Sequence, residues 1–357
     1  MCKPIPNLLQ IGFFLSLIMI SACRSTGPTT VVRDRTAYID AISDSWKKQL
    51  LLNIVKLRYA DAPIFLDVSS IVSQYEITGQ VNAGVGFEQN GTGWHPSIGA
   101  QANFADRPTI TYTPFTGTQF SLNLMRPVLP KTLMSIIYAG YPVDYIFKFA
   151  VNSVNGIKNS FGGQMRKHDA SPEFYPLLER LRKVQDADAL LISLGAEDDE
   201  LSFSIQNRYK IEQIENVHEI NKLLGLPDSV NLYRIGYGLQ RNDSTEFVLM
   251  TRSFMEILID IGSSIEVPEE HLTGHQVLPS KNFTAPDGSP INPFIRIRSG
   301  KEQPGTAFFS VLYNGYWFYI DQGDYTSKAM FSFILTLGSL TETNEEKSTP
   351  LITIPTR

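Results

Sequence analysis

Cysteine is scarce in this sequence: the 357 residues include two, Cys2 and Cys23. A disulfide framework is therefore excluded for most of the chain. Neither sign of charge dominates, since 31 basic residues face 36 acidic ones for a net charge of −5, which gives no electrostatic reason to expect nucleic acid as a partner. Internal repeats and heptad arrays are also lacking. What the chain does have is apolar residues, at 43%, enough for a large packed core and too many for a mainly disordered protein.

The first 22 residues have the architecture of a signal peptide. Lys3 and the amino terminus supply a weakly positive start, an apolar run follows from Leu8 to Ile20, and the small residues Ser21 and Ala22 end the segment. The run is about 13 residues long, whereas a membrane-spanning helix needs about 20. We therefore predict a signal peptide over residues 1–22.

The end of that segment, Ile20-Ser21-Ala22-Cys23, resembles the lipobox of bacterial lipoproteins. The resemblance implies cleavage before Cys23 and attachment of diacylglycerol to its thiol, with acyl chains such as palmitate holding the mature chain at a membrane. Arg24 stands where an Asp tends to retain lipoproteins in the inner membrane, which favours the periplasmic face of the outer membrane in a host with two membranes. The alternative is a plain secretory signal with an incidental cysteine.

The mature chain divides by pattern into four further parts. Residues 23–35 are predicted to be a polar tether. Residues 36–165 are predicted to hold an amphipathic helix over 36–60, a long β-hairpin and an apolar helical hairpin, since Pro130 and Pro142 each open an apolar run. Residues 166–340 read as an α+β region, with Asn242-Asp243 and Asn314-Gly315 as turns, and residues 341–357 as a mobile tail. The predicted fold class is α+β, with antiparallel β-hairpins or a meander packed against amphipathic helices.

Two segments resemble an uncharacterised family of proteobacterial envelope lipoproteins. They are LLLNIVKLRYADAPIFLDVSSIVSQYE near the start of the mature chain and IRIRSGKEQPGTAFFSVLYNGYWFYIDQGDYTSKAMFSFILTLGSL near its end. The family has no assigned activity, so the resemblance implies a location in the envelope and no mechanism.

A search for chemistry finds no catalytic constellation. His271 and His275 have the spacing of metal ligands, but Gly274 and two flanking prolines indicate a solvated loop. The acidic run 197–200 reads as a solvated turn. Asp321 and Asp324 could in principle serve glycoside hydrolysis, yet nothing distinguishes them from turn residues. We predict no metal site and no cofactor.

Aromatic residues around the Asn314-Gly315 turn make a candidate binding face, namely Tyr316, Trp317 and Tyr319. Such faces bind carbohydrate or peptidoglycan. Packing of this hairpin on the helix that follows is the simpler interpretation.

Residues 74–113 show the clearest β-pattern, because odd positions from Tyr75 to Phe87 are apolar or glycine without a break. A soluble sheet with one face on the protein core explains this pattern, and we favour it. The alternative is a hairpin that enters a membrane and is completed by other subunits, although this face is rich in Ala and Val. The residues that would serve that role are Val81, Val85, Phe87, Trp94 and Phe104.

These observations predict a lipid-anchored cell-envelope protein with a structural or binding role. The expected partners are the membrane, through the lipid anchor, and envelope proteins or further copies of the chain. Two alternatives remain, a subunit of an oligomeric envelope pore or assembly, and an enzyme acting on cell-wall glycans or peptides.

Overall fold

A computed structural model describes most of the chain beyond the predicted signal peptide. The described residues are 27–72, 75–87, 94–106, 109–114, 122, 124–163, 166–194, 201–206, 211–238, 243–280, 283–284, 290–291 and 293–341. The chain divides into two compact units, residues 1–47 and residues 48–357. Helices alternate with mainly antiparallel sheets in the second unit, which confirms the predicted α+β class. Cys23 and all but the first residue of the predicted tail lie outside the described residues.

The first described element is helix α1, Gly27–Arg58. It begins nine residues before the predicted start, so the part of the predicted tether from Gly27 to residue 35 is helical. Within the second unit the helix is buried along one side, where Leu51, Ile54 and Val55 are fully inaccessible to solvent. In the first unit Trp46 is 48% exposed. The amphipathic pattern therefore marks a core contact only in the C-terminal part of the helix.

The predicted long hairpin is present and consists of two pairs of antiparallel strands. Strand β1 (Leu66–Val72) pairs with β4 (Thr109–Pro114), and β2 (Tyr75–Phe87) pairs with β3 (Trp94–Asp106). The paired residue numbers sum to 181 both at Ile71 with Ile110 and at Tyr75 with Asp106. Among the described residues the two pairs thus share one register, apart from an irregularity between Val68 and Ser70.

Two apolar helices follow, as predicted: α2 (Pro130–Tyr138) and α3 (Val143–Ala150). The chain then forms a small hairpin of β5 (Val151–Val154) and β6 (Ile157–Lys158), where continued helix was expected. Asn155 and Gly156 both have positive φ, at 46° and 84°, and reverse the chain in two residues. Among the described residues no helix has both the length and the hydropathy that crossing a bilayer requires.

The centre of the second unit is a six-stranded mixed sheet in the order β6-β5-β10-β9-β8-β7. Its remaining strands are β7 (Leu190–Ser193), β8 (Ser202–Ile205), β9 (Leu232–Tyr237) and β10 (Glu246–Thr251). Strands β9 and β10 were expected to flank a simple turn at Asn242-Asp243, but they pair in parallel. Phe203 stacks on Tyr233, with ring centroids 4.7 Å apart, and meets Phe247 edge-on.

Helices cover this sheet: α4 (Phe174–Asp186), α5 (Ile211–Leu224) and α6 (Phe254–Ser263). Ser253 caps α6 with its side-chain oxygen on the backbone N–H of Glu256, and Glu256 returns a bond to the N–H of Ser253. The buried side chains form one cluster that draws on α1, the central sheet and the C-terminal segment, from Leu50 to Leu337.

The C-terminal segment builds a second, smaller sheet. A helical turn α7 (Glu269–Thr273) and the short pair β11 (Phe283–Thr284) and β12 (Pro290–Ile291) precede it. The sheet has the order β13-β15-β14, with β13 (Arg298–Gly300), β14 (Ala307–Tyr313) and β15 (Tyr316–Asp321). Helix α8 (Tyr325–Thr341) follows, and its Phe331 contacts Phe309 of β14 at 4.6 Å between ring centroids.

Candidate functional site

The predicted aromatic face on β15 is divided between two sides of the small sheet. Phe318 and Ile320 are fully buried, and strand alternation assigns Tyr316 to their side. Trp317 and Tyr319 lie on the opposite side and are half-buried. The three aromatic residues that the sequence grouped together therefore form no single platform.

Trp317 and Tyr319 share their side of the sheet with residues that the sequence analysis did not select. Register places Arg298 opposite Tyr319, and Gly300 and Leu312 opposite Trp317. Leu312 is 55% exposed. Because Gly300 has no side chain, the indole neighbours bare backbone on that strand. We call this surface, formed by Trp317, Tyr319, Arg298 and Leu312, the outer sheet face.

An open cleft of about 510 Å³ adjoins the outer sheet face. Arg298 belongs to both, and its side chain approaches that of Asp321, another residue of the cleft, to 3.8 Å. The lining residues are Pro293, Phe294, Arg296, Arg298, Asp321, Gly323, Asp324, Thr326 and Ser327. Ligand clefts commonly have volumes of this order, with an apolar wall and a few convergent polar groups.

Asp324 caps the N-terminus of helix α8. Its carboxylate accepts hydrogen bonds from the backbone N–H of Ser327, at 3.0 Å, and from the Ser327 hydroxyl, at 2.7 Å. Partial burial acts to raise the pKa of Asp324, but the bonds from Ser327 and the charges of Arg296 and Arg298 outweigh it, and the net pKa is lowered. At neutral pH this side chain is an anion and an acceptor, which does not suit the proton donor of a glycoside hydrolase.

Asp321 also has a local structural role. Its Oδ1 accepts the backbone N–H of Gly323 at 2.8 Å, which shapes the turn into α8. The sequence pattern of turn residues around Asp321 and Asp324 is thus explained by a turn and a helix cap. In the described part of the chain, no group of three or more His, Cys, Asp or Glu side chains is arranged to hold a metal ion.

Tyr316 belongs instead to a cluster under the sheet. Its ring meets His271 at 4.9 Å, and the Nδ1 of His271 lies 2.7 Å from the hydroxyl of Tyr59. Burial raises the pKa of Tyr59 to about 12, with Arg58 acting in the opposite direction. His271, expected in a solvated loop, is only 6% exposed. These contacts hold α7 against the end of α1 and against β15. They give His271 a structural role in packing.

The exposed end of the same cluster carries an ion pair. Lys301 Nζ lies 2.6 Å from Glu270 Oε1, and the pKa of Glu270 is lowered, chiefly by its hydrogen bond with Lys301. The Lys301 ammonium also lies 5.7 Å from the centre of the Tyr316 ring. The arrangement orders the rim of the small sheet on the side away from Trp317.

The five hairpin residues selected for a membrane or oligomer role are related by register. Val81 pairs with Ala100, Val85 with Pro96, Phe87 with Trp94, and Phe104 with Ile77. All belong to the same set of cross-strand pairs, and strand alternation assigns that set to one face. The other set is polar, and its Thr78, Gln80, Asn82, Gly99, Gln101 and Asn103 are exposed.

The base of the hairpin is held to helix α1. The side-chain amide of Asn53 bonds both backbone groups of Ile64, at 2.8 and 2.9 Å, and Gln49 does the same for Leu66. Residues four apart on a helix lie on one side, so these two amides act as a short strand would. In the sequence, the only sign of this contact is that Gln49 and Asn53 interrupt the apolar side of the helix with two amides.

Comparison of the chain with models of protein families, with characterised proteins and with solved structures finds no match.

Proposed function

We propose that this chain is a lipid-anchored cell-envelope protein with a binding role, held at the periplasmic face of the outer membrane through Cys23. The observation that supports binding is the cleft of about 510 Å³ that adjoins the outer sheet face at Arg298. The half-buried Trp317 and Tyr319 beside the Arg298–Asp321 pair suit a saccharide, since a sugar ring offers an apolar C–H side for stacking and hydroxyls for hydrogen bonds. The proposed ligand class is cell-wall glycan.

The ligand is tested with the purified mature chain and insoluble peptidoglycan. Wild type is expected to co-sediment, and Trp317→Ala to weaken binding at least about tenfold, as truncation of a central aromatic contact does. Tyr237→Ala is the matched control, because Tyr237 is 58% exposed on another sheet. Equal binding by wild type and Trp317→Ala, or none by wild type, contradicts the proposed ligand.

The anchor is tested separately. Cys23→Ser is expected to abolish lipidation and leave unprocessed precursor, or to release the protein from membranes. Mass spectrometry of the native protein is expected to find an acylated N-terminal cysteine. An unmodified mature N-terminus contradicts the anchor without bearing on glycan binding.

The same insoluble peptidoglycan distinguishes a binding protein from an enzyme that acts on cell-wall glycans. Release of soluble fragments from peptidoglycan by wild type, and its loss in Asp324→Asn, would favour hydrolysis over binding. A subunit role in an oligomeric envelope assembly is the second candidate, and the long hairpin favours it.

A further inference from the structure

The hairpin is longer than the fold of the second unit requires. Strands β2 and β3 have 13 residues each, whereas strands of the central sheet have two to six. In the described part of the chain neither β2 nor β3 pairs with a third strand. An isolated two-stranded hairpin is marginally stable in water, so a hairpin of this length calls for a further contact.

At the base of the hairpin, strand β4 is not covered by a protein layer. Four consecutive residues of β4, Thr109 to Tyr112, are exposed, with Ile110 at 41% and Tyr112 at 56%. Consecutive strand residues alternate between faces, so both faces of this strand meet solvent. Packing on the protein core, the interpretation favoured from sequence, is therefore not found at this end.

The two faces of the ladder differ in chemistry from the Ile77–Phe104 pair to the Phe87–Trp94 pair, whereas the first pair, Tyr75–Asp106, adds a carboxylate to the otherwise apolar set. Between those two pairs, one set of paired residues is apolar or glycine throughout: Ile77–Phe104, Gly79–Ala102, Val81–Ala100, Ala83–Ile98, Val85–Pro96 and Phe87–Trp94. The other set between the same ends carries amides, hydroxyls, glycine and one histidine. Such an uninterrupted division matches a sheet with lipid on one side and water on the other.

The aromatic residues of the apolar set are located at its two ends. The Phe87–Trp94 pair and the Ile77–Phe104 pair are ten residues apart along the strand, or about 33 Å at 3.3 Å per residue. With the tilt of about 40° that membrane strands adopt, this separation is about 25 Å across the membrane, close to the apolar band of such proteins. The spacing fits aromatic residues at the two membrane interfaces.

The edges of the hairpin lack the usual protection against pairing. Edge strands that avoid association carry Lys or other charges and proline. Residues 77–87 and 94–104 contain no acidic or basic side chain except His95, and no Lys or Arg occurs between Arg58 and Arg107. Pro96 is close to the tip, so the rest of β3 keeps its backbone donors.

We infer that the β2–β3 hairpin is an assembly element whose edges pair with the same hairpin in other copies of the chain, within a membrane. Side-by-side copies bring β3 of one chain against β2 of the next in antiparallel orientation and keep each face continuous. The interface is head-to-tail, so a row of copies has a free strand edge at each end unless it closes into a ring. Closure into a ring pairs those two edges, which could not remain unpaired in lipid. Assembly through the hairpin is a role separate from glycan binding, and it requires no lipid at Cys23.

The first test compares two neighbouring substitutions in the mature chain, reconstituted into liposomes. Val81→Lys puts a charge on the apolar set, and its oligomer population is expected to fall about thirtyfold or more, as for a Lys near the middle of a lipid-facing strand. Gln80→Lys, one residue away on the exposed face, is expected to keep the oligomer. Native mass spectrometry after extraction measures both. A monomeric wild type, or equal loss in both variants, overturns the inference.

The second test labels single cysteines in liposomes. Introduced cysteines at positions 81, 85, 100 and 102 are expected to react with a membrane-restricted probe, and those at 80, 82, 101 and 103 with a water-soluble one. Because Cys2 and Cys23 are the only native cysteines, Cys23→Ser supplies a background without the anchor. Period-two labelling there supports the hairpin inference independently of lipidation, and labelling without that period overturns it.

Discussion

The β2–β3 hairpin and the central six-stranded sheet use the same secondary structure with different partners. The central sheet is built from short strands whose side chains, such as Tyr233 and Phe247, are fully buried among helices of the same chain. The hairpin has strands at least twice as long and an exposed polar face. The central sheet is thus covered by helices of its own chain, whereas the polar face of the hairpin meets solvent.

The largest expected loss of stability comes from breaking the buried hydrogen-bond network around Arg252, beside the central sheet. Arg252 is fully buried and donates to Asp260 at 2.9 Å and to Asn152 at 3.2 Å, with further bonds to backbone carbonyls that include Ser160. Arg252→Met leaves these acceptors without their donor, and we expect the free energy of unfolding to fall by about 3–5 kcal/mol. Urea denaturation followed by circular dichroism measures it.

The hairpin supplies the control for this substitution. Gln101→Met changes an exposed residue of β3 and is expected to stay within about 0.5 kcal/mol of wild type. A loss from Gln101→Met as large as that from Arg252→Met would mean that the two regions unfold as one structure.

Two aromatic residues, one on each sheet, test the same difference in burial. Phe247 is fully buried and contacts Phe203, whereas Tyr112 is 56% exposed on β4. Phe247→Ala is expected to cost about 3–5 kcal/mol because it leaves a cavity in the core. Tyr112→Ala is expected to cost less than about 0.5 kcal/mol. Thermal unfolding of the two variants measures both losses of stability, and similar melting temperatures would contradict the difference in burial.

The cap of helix α8 makes stability depend on pH. The pKa of Asp324 is lowered in the folded state, so its contribution is present above the unfolded pKa of about 4 and is lost as pH falls through the folded value. Asp324→Ala is expected to cost about 1 kcal/mol at pH 7, and less below pH 4. Asp324→Asn keeps a capping acceptor and isolates the charge. A cost that does not change with pH would contradict the role of the carboxylate.

The smallest expected effect concerns two glycines. Gly315 has φ +79° in the turn between β14 and β15, so Gly315→Ala is expected to cost about 1 kcal/mol. Gly99 of β3 has an ordinary φ, and an added Cβ meets only Asn82 O, at 4.0 Å. Gly99→Ala is therefore expected to be neutral or slightly stabilising. Chemical denaturation distinguishes the two, and a larger loss at Gly99 would indicate a close neighbour on that face.

Much of the fold was predictable because its signals are local. Alternation over Tyr75–Phe87 predicted β2, and Asn314-Gly315 predicted the hairpin of β14 and β15. Pro130 marked the start of α2. The parallel pairing of β9 with β10 was missed because strand direction depends on distant partners, and the β5–β6 hairpin was missed because Val151–Val154 continues an apolar run.

The candidate site was predictable only in part. The aromatic residues of β15 were identified from composition, but their distribution over two faces follows from the burial of Phe318 and Ile320. Arg298 was not selected because it meets Tyr319, 21 residues later in the chain, only through the pairing of β13 with β15. His271 was expected in solvent because its burial depends on Tyr59, 212 residues away.

By itself the sequence determined many of the helices and strands, the two chemically distinct sets of hairpin residues, and the lipobox-like pattern before Cys23, since each depends on local spacing. Tertiary structure alone decided which patterns bury their apolar side. The same period of two describes Phe318 and Ile320, which the chain covers with its own helices, and Ile110 and Tyr112, which it leaves exposed. Burial requires a second surface brought close by long-range packing, and local periodicity carries no information about which surface that is.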